Sequence, residues 1–197
     1  MGSKMQIAII VILSLLLVIG LISLVILLKP AFNYFLKNIV FKSSYDKIGQ
    51  SSQIRLINQL RESVEYLSKY KIGAIITIEN NDVLDNYRTD GIILDANISS
   101  GLLISIFNKN SPLHDGAVII RKNKIYYAST FYKITDKSVP ASYGSRHRAA
   151  IGISEQTDAV TILVSEQTGL IRLLRKNIIL SVRLDQFQEE LIKILKG

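Results

Sequence analysis

The sequence predicts an α/β fold, a mixed, twisted β-sheet flanked by helices, preceded by one N-terminal transmembrane helix. Three observations carry this expectation. Met5 to Leu28 holds no charged residue and is almost wholly Ile, Leu and Val. Beyond it, short apolar and β-branched runs come in pairs around turn-forming residues, a hairpin signal. Other stretches repeat their apolar residues at three- and four-residue steps, the period of an amphipathic helix. Strands and helices are thus interspersed, which favours a mixed sheet with helices packed on it.

Taken in order, residues 5–28 form the membrane segment. As a helix they reach about 36 Å, enough for a hydrocarbon core ~30 Å thick. A cleaved signal peptide is the alternative. The apolar run exceeds the usual ~7–15 residues of such a segment, and no small-x-small cleavage site precedes Lys29. The start, Met-Gly-Ser-Lys-Met-Gln, lacks the Ser or Thr that myristoylation requires at the sixth position. A permanent anchor is therefore expected. Lys4 precedes the span, whereas Lys29, Lys37, Lys42 and Lys47 follow it. The positive-inside rule then places the body of the protein on the cytoplasmic side of the cell membrane, as a single-pass protein.

Residues 29–50 read as a connector. Its Phe32, Tyr34, Phe35, Phe41 and Tyr45 either form an interfacial aromatic belt or pack against the following domain. That domain spans residues 51–197. Ser51 to Tyr70 is predicted to be a helix with Ile54, Ile57, Leu60, Val64 and Leu67 on one face, capped by Ser51 or Ser52, with Gly73 just past its end. Ala74 to Glu79 reads as a strand. Leu102 to Asn108 reads as a short helix begun by Ser99 or Ser100. Ala117–Arg121 and Ile125–Tyr132 pair around Lys122-Asn123-Lys124. Arg146 to Ser154 reads as a helix after the Gly144 turn. Ala159–Ser165 and Leu170–Leu174 pair around Gln167-Thr168-Gly169. Asp185 is the expected cap of a last amphipathic helix ending at Lys196.

Composition narrows the function classes. The chain has 197 residues, no cysteine, and a net charge of +8. Disulfides, a thiolate nucleophile and Cys-ligated zinc are excluded. The positive charge suits anionic partners, but no block of like charge and no nucleic-acid-binding motif is present, so nucleic acid is not an expected partner.

The only two histidines, His114 and His147, lie in two chemically dense segments. Leu113-His114-Asp115-Gly116-Ala117 joins an imidazole, a carboxylate and a glycine, suited to a divalent cation. A simple Asp-Gly turn is the plain alternative. Ser145-Arg146-His147-Arg148-Ala149-Ala150 sets two guanidiniums at a helix start, where free N–H groups and the helix dipole favour phosphate. Its plain alternative is an ordinary helix start with surface charges.

These segments resemble the Asp-Gly-Ala and Arg-His-Arg signatures of the bacterial diadenylate cyclase family, in its membrane-anchored, single-span type. The resemblance runs from about Gly73 to Leu174. It includes Gly73-Ala74-Ile75-Ile76, Gly91-Ile92-Ile93-Leu94-Asp95-Ala96, Asn110 through Ala117, and Gly144 through Glu155. It implies an α/β domain around a twisted mixed sheet that joins two ATP molecules into cyclic di-AMP with a divalent metal, Mn²⁺ or Mg²⁺. By resemblance, Asp115, Gly116, Arg146, His147 and Arg148 form the catalytic set. Leu94, Gly116, Ala117, Phe131, Ser145, Arg146, Arg148 and Ser165 bind ATP. Asp115, His114 and Glu166 bind the metal, and His147 orients the loop or the metal site. Ser145 stands where many relatives have Thr, Phe131 where many have Tyr, Gly101 where a Glu is usual, and Gln167 where a Glu is frequent.

A domain of this size is expected to hold one ATP, so a symmetric product calls for a face-to-face homodimer. The bilayer, and a membrane or cytoplasmic protein regulator, complete the expected partners. Two rival readings remain open from the residues: a non-catalytic nucleotide sensor, and a metal-dependent phosphohydrolase, for which two histidines make a thin ligand set.

Overall fold

A computed structural model describes residues 2–40 and 44–196, apart from the side chains at positions 3–5, 7, 8 and 31–44. Phe32, Tyr34, Phe35 and Phe41 of the expected belt lie outside that description. The chain divides into two compact units, Met1–Lys42 and Ser43–Gly197.

The first unit is helix α1, Gly2–Val40, with Pro30 inside it. Within it, Ile9–Pro30 is 22 residues long with mean hydropathy 3.4. Among the described residues it is the one helix long and apolar enough to cross a membrane. Its Leu, Ile and Val side chains are exposed, as a lipid-facing segment requires.

The second unit begins with a short 3-10 turn, Ser44–Lys47, followed by helix α2 at Gln50–Lys69. The strands and helices that follow are β1 (Ala74–Ile78), β2 (Arg88–Thr89), β3 (Ile92–Asn97), α3 (Ser100–Phe107), β4 (Ala117–Arg121) and β5 (Lys124–Tyr132). Then come α4 (Ser145–Gln156), β6 (Val160–Val164), β7 (Ile171–Arg175), β8 (Ile178–Val182) and α5 (Phe187–Lys196). The eight strands form one sheet in the order β2-β5-β4-β1-β6-β7-β8, with β3 also paired to β5. Among the described residues only β1 and β4 pair in parallel; the other pairs are antiparallel. The expected mixed α/β sheet is what the chain adopts.

Both faces of the sheet are covered. On one, α2, α3 and α5 set Leu60, Phe107 and Phe187 against Ile76, Val118 and Ile162. On the other, α4 sets Ala150, Ile151 and Ile153 against Ile75, Ile119 and Leu163. This is why β1 and β6 are buried at every position and read as continuous apolar runs rather than alternating ones. The one polar pair inside them satisfies itself, Thr77 Oγ1 to Thr161 Oγ1 at 3.2 Å.

Several local expectations change. Tyr45 packs into the first core at 7% exposure, so at this position the packing alternative holds. Ile54 is exposed and Leu56 is buried instead: the buried face runs through Leu56, Leu60, Ser63 and Leu67 at three- and four-residue steps, and the helix starts one residue earlier than expected, at Gln50. Its N-cap is Gly49, and no serine caps it. The helix ends in a Schellman turn, with Ile72 N–H on the Leu67 carbonyl and Lys71 N–H on that of Ser68. Lys71, at φ 52°, takes the left-handed position rather than Gly73. Ser99 caps α3 as expected, accepting from Leu102 N–H. Asp185 does not cap α5; its carboxylate is held by Arg183 Nη2 at 2.9 Å. The two-residue strand β2 has no counterpart among the sequence expectations, nor do strands β3 and β8. Both lie toward sheet edges with most side chains exposed, so neither carries the inward-outward alternation that marks a strand.

Candidate active site

The topology gathers the chemistry at one end of the sheet. Since β1 and β4 run parallel, Gly73 and Asp115, which precede them, emerge side by side. Strand β6 runs antiparallel to β1 and therefore delivers Ser165 and Glu166 to the same end. The C-terminal part of β5 and the start of α4 complete the surround. Three concavities lie here. One of about 310 Å³ is lined by Gly144, Ser145, Arg146, His147, Ser165 and Glu166 among others. One of about 190 Å³ has Asp115, Gly116, Ala117, Phe131, Ser145 and Arg146 in its wall. One of about 200 Å³ includes Gly73, Lys109, His114, Asp115, Arg146 and Glu166. Arg146 borders all three.

Helix α4 starts without a side-chain cap, since its N-cap is Gly144. The first intrahelical bond there is made by Arg148 N–H, to the Gly144 carbonyl at 3.2 Å. The N–H groups of Ser145, Arg146 and His147 are therefore left for a ligand, and no acidic residue occupies the first turn to compete for them. Ser145 and Arg146 thus stand where the sequence placed them.

Arg146 donates from Nη1 to Glu166 Oε2 at 2.8 Å and sits 3.9 Å from Asp115 Oδ1 through Nη2. Its Nε is buried and has no hydrogen-bond partner among the described residues, an unmet donor at the wall of the site. Gly73 makes room for it: a Cβ there would lie 2.8 Å from Arg146 Nη1. Glu166 has its other oxygen on Lys109 Nζ at 2.9 Å. The Lys109 ammonium, and against some desolvation the Arg146 guanidinium, hold the Glu166 carboxyl below the usual carboxylate range.

Gly116 adopts φ 88°, and a Cβ on it would meet the Thr130 carbonyl at 2.6 Å. The close approach that demands glycine is thus to the β5 backbone. Opposite it, β5 carries a bulge between its pairings with Ala117 and Ile119, and Ser129 has φ 56°. The crowding fixes the turn that exposes Asp115. Ala117 and Phe131 line the second concavity, with Phe131 45% exposed on its rim. Ser165 lines the first, with Oγ accepting from Thr168 N–H at 3.3 Å.

Leu94 lines none of these three concavities: it is half-buried against the core under α2, α3 and α5, across the sheet from Ala117. Arg148 is not aimed at the concavities either; its Nε donates to the Tyr143 carbonyl at 3.1 Å. On α4, 148 lies two positions, about 200°, from Arg146, so the two guanidiniums cannot share one face. His147 Nε2 meets Arg172 Nη1 at 2.9 Å, and its ring stacks on Tyr143 at 4.7 Å. Burial, then the Arg172 charge, pushes the His147 pKa below its usual 6.5.

The residues fit a divalent cation in part. His114 Nδ1 is 2.6 Å from the Ser111 carbonyl. A carbonyl only accepts, so Nδ1 carries a proton, and in the neutral ring Nε2 offers its lone pair. Nε2 lies 3.6 Å from Asp115 Oδ1, close to the about 3–3.6 Å separating two ligands that bind one ion at ~2.1 Å. Glu166 does not join them: both its oxygens are on cations. Among the described residues no group of three or more His, Asp or Glu side chains forms a metal cluster. A two-ligand corner suits an ion that completes its shell with phosphate oxygens and water. Lys109, Tyr143 and Arg172 were not foreseen; no motif marks them, and only the fold brings them here.

The family described as DAC, DisA bacterial checkpoint controller nucleotide-binding, matches residues 61–179. A Mycoplasma genitalium protein named diadenylate cyclase is 42% identical over 182 residues, covering 90% of both chains. A Listeria monocytogenes protein of the same name is 39% identical over 180 residues, covering 89% of this chain; this chain spans 65% of its length. The crystal structure of a double mutant of DacA from Staphylococcus aureus superposes with TM-score 0.71 at 39% identity. The match covers 75% of this chain and 100% of the solved one. The chain belongs to the DAC, or DisA bacterial checkpoint controller nucleotide-binding, family.

Proposed function

We propose that the chain is a membrane-anchored diadenylate cyclase that condenses two ATP molecules into cyclic di-AMP and two pyrophosphates. The observation that carries this reading is Arg146. Its unpartnered Nε lies at an uncapped helix start, and its guanidinium is 3.9 Å from the exposed Asp115 carboxylate. An anion-binding corner and an acidic corner thus meet across one side chain. The names of the relatives support the same reading.

In this mechanism the free N–H groups of α4 and Arg146 hold the triphosphate. Phe131 offers its exposed ring to the base. Asp115 accepts the proton of a ribose 3′-hydroxyl at its carboxylate. The 3′-oxygen of one ATP forms a bond to the α-phosphorus of the other, the bond from that phosphorus to the bridging oxygen breaks, and pyrophosphate leaves. The same exchange in the opposite sense closes the ring. Arg146, drawn toward Glu166, faces the charge that builds on the α-phosphate and leaving group. A bound Mg²⁺ or Mn²⁺, held by Asp115 and His114, would lower the 3′-hydroxyl pKa and polarise the phosphate. One chain supplies one such site, so two copies face each other across a two-fold axis. Helix α1 anchors the chain in the cell membrane, and the lysines following the span place the catalytic unit in the cytoplasm.

The test uses the full chain in detergent micelles with ATP and Mn²⁺ or Mg²⁺, resolving the nucleotides formed. Cyclic di-AMP, at a specific activity that rises with protein concentration, supports the reading. ADP or AMP alone would indicate a hydrolase. Bound but unchanged ATP would indicate a sensor.

A further inference from the structure

We propose that Arg172 on β7 is a positioning residue for the triphosphate corner, acting through His147 and Tyr143 without touching the substrate. This rests on the function proposed above.

The need for such a residue follows from how α4 begins. Its N-cap, Gly144, contributes no side chain, so no capping side chain fixes the direction of its free N–H groups. The loop entering it, 140–144, is held by its own turn, with Tyr143 N–H on the Pro140 carbonyl at 2.9 Å. It is held from α4 by Arg148, on the Tyr143 carbonyl. Both ties are internal to the loop and helix. Arg172 ties both Tyr143 and His147 to β7, beside the Arg146–Glu166 ion pair at the end of β6 and the packing of Tyr143 on the core under α4.

Strand β7 pairs on both sides, with β6 and β8. Its Ile171 and Leu173 enter the core under α2, α3 and α5, and Leu174 enters the core under α4. Alternation therefore turns Arg172 toward α4. There its Nη1 meets His147 Nε2 at 2.9 Å, and its guanidinium sits 5.2 Å from the Tyr143 ring centroid. The Tyr143 and His147 rings stack at 4.7 Å with 29° between their planes. Arg172 thus clamps one residue before the N-cap and one residue inside the first turn.

The clamp needs a particular form of His147. A guanidinium only donates, so Nε2 must carry a lone pair and the ring must be neutral. Burial and the Arg172 charge both favour the neutral form. The other charged groups nearby are already committed: Arg148 to the Tyr143 carbonyl, and Glu166 to Lys109 and Arg146.

The experiment compares the full chain in detergent micelles with Arg172→Met, which keeps much of the stem and removes the charge, and with Arg172→Lys. Because the chain has only two histidines, ring-labelled histidine NMR resolves His147 and His114 as separate titrations. Circular dichroism of the same samples reports that the variant remains folded. ATP affinity is measured in parallel. The expected results are a His147 titration moved upward toward 6.5 in Arg172→Met with His114 unmoved, and ATP binding weakened about tenfold or more, the scale of a lost charge-assisted hydrogen bond. Arg172→Lys should restore part of the affinity. An unchanged His147 titration, or unchanged ATP affinity in Arg172→Met, would overturn the inference. Failure of the cyclase reading shows instead in the products of the unmodified chain, and the histidine titration decides the Arg172 link either way.

Discussion

Replacing Gly73 by alanine separates the geometry of Arg146 from the stability of the fold. The added Cβ would stand 2.8 Å from Arg146 Nη1, 3.2 Å from Arg146 Cζ and 3.0 Å from Glu166 Cβ. Ordinary contact begins at about 3.4 Å, so the guanidinium must retreat by roughly 0.6 Å. It is the far end of a flexible side chain and can do so, while Glu166 Cβ must give by a few tenths of an ångström. The backbone at 73 is not left-handed, so no conformational strain is added. The stability cost is therefore about 1 kcal/mol or less, which shifts Tm by about 2–4 °C in a protein of this size. The functional cost is larger. Arg146 loses its 2.8 Å bond to Glu166 and moves relative to the triphosphate, and a displacement near 1 Å costs up to ~100-fold in rate. Gly73→Ala should lower cyclic di-AMP formation about 10- to 100-fold with Tm nearly unchanged, measured by nucleotide chromatography and thermal unfolding of the same preparation. Turnover within about twofold of the parent would refute the role of Arg146 geometry. A Tm drop exceeding about 5 °C would refute the claim that the added methyl is absorbed by side-chain movement.

Asp115→Asn, isosteric on an exposed turn, should abolish cyclic di-AMP formation while circular dichroism stays that of the parent; near-parental turnover would remove Asp115 from the mechanism. Leu94→Ala should cost about 1–2 kcal/mol, less than the ~2–5 of a fully buried leucine, and leave the KM for ATP unchanged. Phe131→Ala should instead raise that KM with little loss of stability; a raised KM in Leu94→Ala would restore Leu94 to the nucleotide site. Since the folded His147 pKa lies below 6.5, the unfolded chain binds a proton there that the folded chain does not. Stability should accordingly fall as pH drops from about 6.5 toward the folded value. His147→Gln should flatten the dependence of Tm over that window, and an unaltered slope would contradict the buried neutral imidazole.

Some of this was legible in the chain itself because the responsible physics is local. The N-terminal apolar helix follows from an uncharged run long enough to cross a bilayer, expected at 5–28 and seen as the apolar stretch Ile9–Pro30. The Ser99 cap and the β4–β5 hairpin follow from side-chain hydrogen bonding and turn preference within a few residues. The positions of Asp115, Ser145 and Arg146 were marked by their own residue types. Roles that depend on which face a residue turns to were not. Leu94 sits in a matching segment, yet the bulged, edge-side β3 packs it half-buried against the core under α2, α3 and α5. Arg148 is adjacent to the phosphate motif, yet helical geometry turns it to the loop behind. Glu166 carries a metal-ligand carboxylate, yet Lys109 and Arg146, 57 and 20 positions away, claim both its oxygens. By itself the sequence determined the long apolar N-terminal helix, the mixed α/β class, and the residue types of the acidic and basic corners. The tertiary structure alone decided that these corners share Arg146, and that Gly73, Lys109, Tyr143 and Arg172 hold them. Sheet pairing joins residues distant in the chain, and no local pattern of side chains encodes which of them will meet.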